Sequence, residues 1–212
     1  MPALFWMELY FERKPEQPLA DTAEAVKKYL KDVERMNISD IKTIRAIETK
    51  GHQFKASCEF DTDNGRKKVD LQPIISSHHI LNRKAIEISL TIPENFVGGL
   101  DGERVTEEHA KENLAKFLGL GERFYAHFKC FYGWADEEHN SVDFSSEPIE
   151  KKSEKWAKNM FLFLSKPIIE QLGASRVEEY PYRELSDGGK LINAFYTGNL
   201  MHYDLKDWDF FK

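Results

Sequence analysis

Four residues able to carry charge and protons stand together in "WADEEHN": Asp136, Glu137, Glu138 and His139, directly after the aromatic run "HFKCFYGW". Carboxylates beside an imidazole can exchange protons in general acid–base chemistry, but only where burial sets their proton affinities apart. Asn140 and Ser141 follow the cluster, so the same residues read more simply as a solvated acidic loop. As a recognition patch, with Asp143 extending it, the cluster suits a basic partner. On this reading Phe128, Cys130, Tyr132 and Trp134 lie inside, and Asp136, Glu137 and Glu138 outside.

Other candidate chemistry fails on spacing. His78 and His79 are neighbours on an extended segment, so they point to opposite sides and cannot readily share a metal ion. His127 and Cys130 are an odd number of positions apart on an expected strand and have the same defect. "DTDNGRKKVDLQ" begins like a calcium loop, yet its glycine comes one place early and Gln72 stands where a bidentate glutamate is needed. Gly119 and Gly121 have Phe124 where a phosphate cradle needs a third glycine. No G-x-S-x-G elbow occurs and neither cysteine has an activating histidine beside it, so covalent catalysis has no nucleophile. No cofactor and no metal are expected.

The chain has 212 residues, 41% apolar and 13% aromatic, enough to bury a proper core. Its formal charge of -6 and isoelectric point near 5.7 argue against a general nucleic-acid or anionic-membrane binder, because both need a basic surface. The opening "MPALFWMELYFERK" carries Glu8, Glu12, Arg13 and Lys14 and reads as a first strand, not a leader. No stretch approaches the roughly twenty apolar residues of a membrane helix, and a cytoplasmic protein is expected. Cys58 and Cys130 each sit in an alternating apolar pattern and are read as reduced core thiols.

The elements that must position these residues follow from periodicity. Leu4 to Phe11 predicts a strand. "ADTAEAVKKYLKDVERM" predicts an amphipathic helix with Asp21 and Glu24 as a capping box and Val26, Leu30, Val33 and Met36 inward. A strand over Ile41 to Thr49 and a turn at "KGHQ" precede "FKASCEF", whose Phe54, Ala56, Cys58 and Phe60 share one face. Asn64-Gly65 predicts a hairpin turn with positive φ at both, and Val69 to Ile75 the return. A polar crossing at His78, His79 and Asn82 leads to the alternating strand "AIEISLTI". Thr106 predicts the start of a second helix that Gly119 and Gly121 end, and Phe124 to Trp134 a strand. "EKKSEKWAKNMFLFLSKPIIEQLG" predicts a long helix, kinked or restarted at Pro167, that Gly173 caps. A hairpin follows around Asp187-Gly188-Gly189, and "HYDLKDWDFFK" is a tail too aromatic to stay in water.

The expected class is therefore α+β: an antiparallel or mixed sheet with helices packed on one face. Residues 1–212 form a single domain, within which two similar halves, 1–83 and 84–212, join near His78 to Lys84.

The long helix ending in "LG", the irregular strand and "ELSDGG" that follow Trp156, together with the "FYGWAD" strand, resemble the C-terminal half of immunity proteins from bacterial polymorphic-toxin systems. The resemblance covers residues 124–196 and carries no catalytic motif. It implies a compact α+β protein that binds one cognate toxin and blocks it without performing a reaction. The rival expectation is a small hydrolase or transferase with a pocket between the Gly98–Gly102 loop and the Asp136–His139 cluster. The aromatic tail raises a third, an oligomerising module.

Overall fold

The computed structural model describes residues 4–14, 16–45, 50–81, 83–97, 105–137, 161–178 and 180–193. Alternating side chains organise it. In β1 (Leu4–Glu12), Phe5, Met7, Leu9 and Phe11 are all buried on one face, which makes this strand a central one. It pairs antiparallel on one side with β8 (Arg83–Pro93) and on the other with β9 (Tyr132–Glu137). β7 (Ile74–Ile80), β4 (Lys50–Gln53) and β3 (Lys42–Arg45) extend the sheet beyond β8. Beyond β9 come β10 (Phe161–Leu164), β12 (Lys190–Asn193) and β11 (Tyr182–Glu184). The result is a nine-stranded sheet in which every described pairing is antiparallel.

A second sheet of three strands, in the order β2 (Asn37–Ile38), β5 (Ala56–Thr62) and β6 (Gly65–Leu71), lies over the first. Its Ala56, Phe60, Val69 and Leu71 join one continuous core with β1, β8 and two helices. The first helix, α1 (Leu19–Asp32), buries Ala23, Val26, Tyr29 and Leu30 there. The second, α2 (Glu107–Phe128), buries Ala110, Leu114, Phe117, Leu118, Phe124 and Tyr125. The antiparallel α+β class read from the sequence is thus the one observed. Both long helices lie on one face of the large sheet. The other face carries the short α3 (Lys166–Leu172) and α4 (Ala174–Val177), whose Ile168, Ile169 and Val177 pack with Tyr132, Trp134, Leu162 and Leu164.

Several local expectations are corrected. Asp21 is not a cap: α1 begins at Leu19 with Pro18 at the N-cap position, no side chain capping it, and Asp21 in the first turn. Val33 is 58% exposed, since the helix ends before it can turn inward. "KGHQ" is strand β4, and the expected polar crossing at His78 and His79 lies inside strand β7, which pairs with β8. In the β5–β6 turn only Gly65 has positive φ, at 98°, while Asn64 donates its backbone N–H to Thr62 Oγ1.

The larger revision concerns α2. Thr106 does cap it, its side chain accepting from the His109 N–H, but the helix passes through Gly119 and Gly121 and ends only at Lys129, in the left-handed region with φ 54°. Residues 117, 121, 124 and 128 share a helix face as well as they fit any alternation, and burial of the last three turns outweighs about 1 kcal/mol of helix propensity lost per glycine. "FLFL", expected within a long helix, is strand β10, with all four residues buried because each face of the sheet is covered. Trp156 and Met160, the glycine-rich loop, and the aromatic tail lie outside the described residues. Gly173 does end α3, and the hairpin at Asp187-Gly188-Gly189 is present, Gly188 taking φ 76°. Both cysteines are free thiols, Cys130 buried and Cys58 partly so.

Candidate functional site

Of the residues expected to form an acidic patch, the structure places Asp136 firmly inside. It lies in β9 opposite Trp6 of β1 and is 0% exposed. The correction has a simple cause: the strand that alternation started too early, at Phe124, begins at Tyr132 and runs on past Trp134, carrying Asp136 into the sheet. Glu137 continues β9 opposite Phe5. Glu138, His139 and Asp143 lie outside the described residues, as does the Gly98–Gly102 loop. Tyr132, Trp134 and Cys130 are buried as expected, and Phe128 packs against the core from the last turn of α2. His127, on the same turn, is exposed and stacks on Tyr29 at 4.4 Å between ring centres.

Phe96 and Val105, which flank the glycine-rich loop, belong to the helix-side core and line a crevice at the tip of the small sheet with Asp63, Arg66 and Asn95. Asp136, by its register with Trp6, faces the opposite side of the large sheet.

That opposite side holds a different constellation. In β1 the residues alternating with the core are Trp6, Glu8 and Tyr10; in β8 they are Glu87, Ser89 and Thr91; in β7 they include Ser76 and His78. The register sets Glu8 across from Ser89 and Tyr10 across from Glu87, so Glu8 and Glu87 are diagonal neighbours on one face, within reach of each other's side chains. The Tyr10 hydroxyl donates to Glu8 Oε2. His78 Nδ1 is 3.6 Å from Glu87 Oε2, and its ring lies 5.7 Å from that of Tyr10. Tyr132 closes the far side, its ring 5.9 Å from Tyr10.

Burial governs the electrostatics. Glu87 has only 13% of its side chain exposed, and burial, reinforced by the nearby Glu8 carboxylate, pushes its proton affinity well above the usual glutamate range. The same two causes, burial first and the Glu8 charge second, raise the Tyr10 and Tyr132 phenols. Two carboxyls, two phenols and an imidazole thus stand side by side on one face of the sheet. Such an arrangement can hold a proton between acids. Among the described residues no group of three or more acids, histidines and cysteines is arranged to hold a metal ion.

Sequence reasoning passed over Glu8, Tyr10, Glu87 and Ser89. The signal was present: polar residues at every second position of strands that are otherwise apolar, in "FWMELY" and "IEISLT". In β1 and β8 these positions are partly or fully buried.

The fold is that of an antiparallel α+β protein, one face of whose large sheet carries acidic and aromatic side chains. No family model matches the chain, and no curated protein and no solved structure matches it. No helix among the described residues is long and apolar enough to cross a membrane.

Proposed function

We propose that the protein is a non-catalytic binding protein of the immunity type, acting in the cytoplasm by capturing a basic cognate toxin. The observation that carries this reading is the Glu8–Glu87 pair on the sheet face. Burial beside the Glu8 carboxylate raises the Glu87 proton affinity, and positive charge brought to this face would favour the ionised form of Glu87. The net charge of -6 adds long-range attraction for a basic partner. The resemblance over residues 124–196 gives the toxin as the partner, although the long helix on which it partly rested is a strand and a short helix where the structure describes it.

Co-expression with the product of the adjacent gene is the test. A stable complex, with growth restored in cells otherwise poisoned by that product, is expected. A neighbour without toxicity, or a toxin that forms no complex with this chain, overturns the reading.

One observation favours an enzyme instead: a glutamic acid that keeps its proton beside a second carboxylate is the arrangement of general acid and base in hydrolysis. Turnover of chromogenic glycosides or esters that Glu87→Gln abolishes would establish that alternative.

A further inference from the structure

Asn113 fixes which backbone groups of the small sheet point outward. Both backbone polar groups of Asp61 bond to its side chain, so they are turned away from β6, and Arg66, which lies across from Asp61 in the ladder, turns its own N–H and C=O away from β5. Lys68 and Asp70 follow at every second residue. Gln72 shows the same phase, its N–H donating outward to the Thr91 carbonyl of β8 at 3.4 Å. Between that contact and the Asn64-Gly65 turn, the outward N–H and C=O of Arg66, Lys68 and Asp70 have no partner among the described residues. β6 is therefore an open edge, and all three residues are exposed.

We propose that β6 pairs with β6 of a second copy of this chain, antiparallel about a two-fold axis at Lys68, joining two small sheets into one of six strands. The contact is independent of the binding function proposed above. The run "RKKVD" is self-complementary in this register: Arg66 faces the partner's Asp70, Asp70 faces the partner's Arg66, and three facing pairs exchange two backbone bonds each. Arg66 Nε already meets Asp61 at 3.3 Å and Asp70 Oδ2 meets Lys55 at 3.4 Å, but both pairs are exposed and leave the Arg66 Nη groups and Asp70 Oδ1 to reach across. Lys68 meets its own copy at the axis. Glu59 stands directly across from it on β5, so each opposed lysine has a carboxylate as its other neighbour on that face. The adjacent registers are worse: centring on Lys67 sets Arg66 against the partner's Lys68, and centring on Val69 sets it against Gln72, whose N–H is already given to Thr91. A lysine on an edge strand ordinarily discourages pairing, and here the charges flanking it admit a strand of the complementary order. The interface is short, so the dimer is weak.

The experiment is sedimentation velocity of the full chain from about 10 μM to about 1 mM, with amide exchange followed at both ends of that range. A concentration-dependent dimer is expected, with protection rising at Arg66, Lys68 and Asp70 and unchanged at Lys67 and Val69, which already bond to β5. Arg66→Asp and Asp70→Arg should each weaken association at least about tenfold, since like charges then face each other twice. An equimolar mixture of these two variants should dimerise again, because one strand now presents acids and the other bases at both positions. Lys68→Pro removes an outward N–H without touching the β5 ladder and should abolish the dimer. Amide spectra of each variant confirm that the fold is retained; if Lys68→Pro disturbs β6, the mixture of charge variants decides alone. A parent that stays monomeric throughout, an association that a folded Lys68→Pro leaves intact, or a mixture no more associated than its separate components overturns the proposal.

Discussion

The side-chain amide of Asn113, on α2, pairs with the backbone of Asp61, on β5, as a neighbouring strand would: its Oδ1 accepts from the Asp61 N–H at 3.0 Å and its Nδ2 donates to the Asp61 carbonyl at 2.9 Å. The same Nδ2 also donates to the Phe96 carbonyl at 3.0 Å. Asn113 is 0% exposed, so this one side chain satisfies backbone groups of β5 and of the segment after β8 where water does not reach. Asn113→Ala strands those groups and should cost about 2–4 kcal/mol. Urea denaturation reads the loss, and amide exchange at Asp61 should accelerate with it. A variant as stable as the parent would mean that this junction is not closed in solution.

The two glycines of α2 should respond in opposite directions. At Gly119 an added methyl meets nothing nearer than Arg123 Nη1 at 3.4 Å, so Gly119→Ala should stabilise by about 0.5–1 kcal/mol through the unfolded chain and helix propensity. At Gly121 the methyl collides with the Met7 sulfur and comes within 2.9 Å of the Phe163 ring, both fully buried. Gly121→Ala should therefore cost about 1–3 kcal/mol. Thermal melts of the pair decide whether the helix runs through both positions.

Glu87 makes stability depend on pH in a definite direction. Its folded-state proton affinity is raised, so between the ordinary glutamate range and its own raised value the unfolded chain has released a proton that the folded chain keeps. Folding then binds a proton, and the stability it brings is complete below the ordinary range and is lost as pH rises through the raised value. Glu87→Gln removes that loss. Denaturant titrations from pH 4 to about pH 8 should show the variant gaining on the parent as pH increases. Curves that stay parallel would contradict the burial assigned to this carboxyl.

Asp136 and Trp134 now make the same kind of prediction, although the sequence set them on opposite sides of a boundary. Trp134→Ala should lose about 3–5 kcal/mol of packing. Asp136→Lys should lose at least about 3 kcal/mol, because it brings a long cation into a site with no exposure. Equilibrium unfolding of each variant tests this, and an Asp136→Lys protein that melts like the parent would return the residue to the surface.

Arg123 of α2 grips Glu34, beyond the end of α1, with two bonds of 2.8 and 2.9 Å, and Tyr29 donates to the same carboxylate. Burial would raise the Glu34 carboxyl, but the guanidinium outweighs it and holds the group below its usual range. Arg123 is about half exposed, so Arg123→Lys should cost only about 0.5–1 kcal/mol while removing the forked geometry. A double-mutant cycle with Glu34→Gln measures the coupling.

What could be read in the sequence was what a single period expresses. Phe54, Ala56 and Phe60 alternate and are inward; Ala23, Val26 and Leu30 follow the helical spacing and are buried; the glycines at 65, 173 and 188 occupy positive φ. Errors arose where two periods fit the same letters, as from Phe117 to Phe128, or where a segment is too short to show any, as in Phe161–Leu164. The Glu8–Glu87 face escaped for another reason. It is made by register between β1 and β8, and no local pattern tells that Glu8 will lie across from Ser89.

The central place of β1 also bears on how the chain is made. Both of its neighbours come from far downstream, Ala85–Pro93 on one side and Tyr132–Glu137 on the other. During synthesis at about 5–20 residues per second, Phe5, Met7, Leu9 and Phe11 wait for seconds with neither edge paired and no core to enter. Folding is therefore governed by the closure of long loops, and nascent chains halted before β9 should be those that chaperones hold and that aggregate.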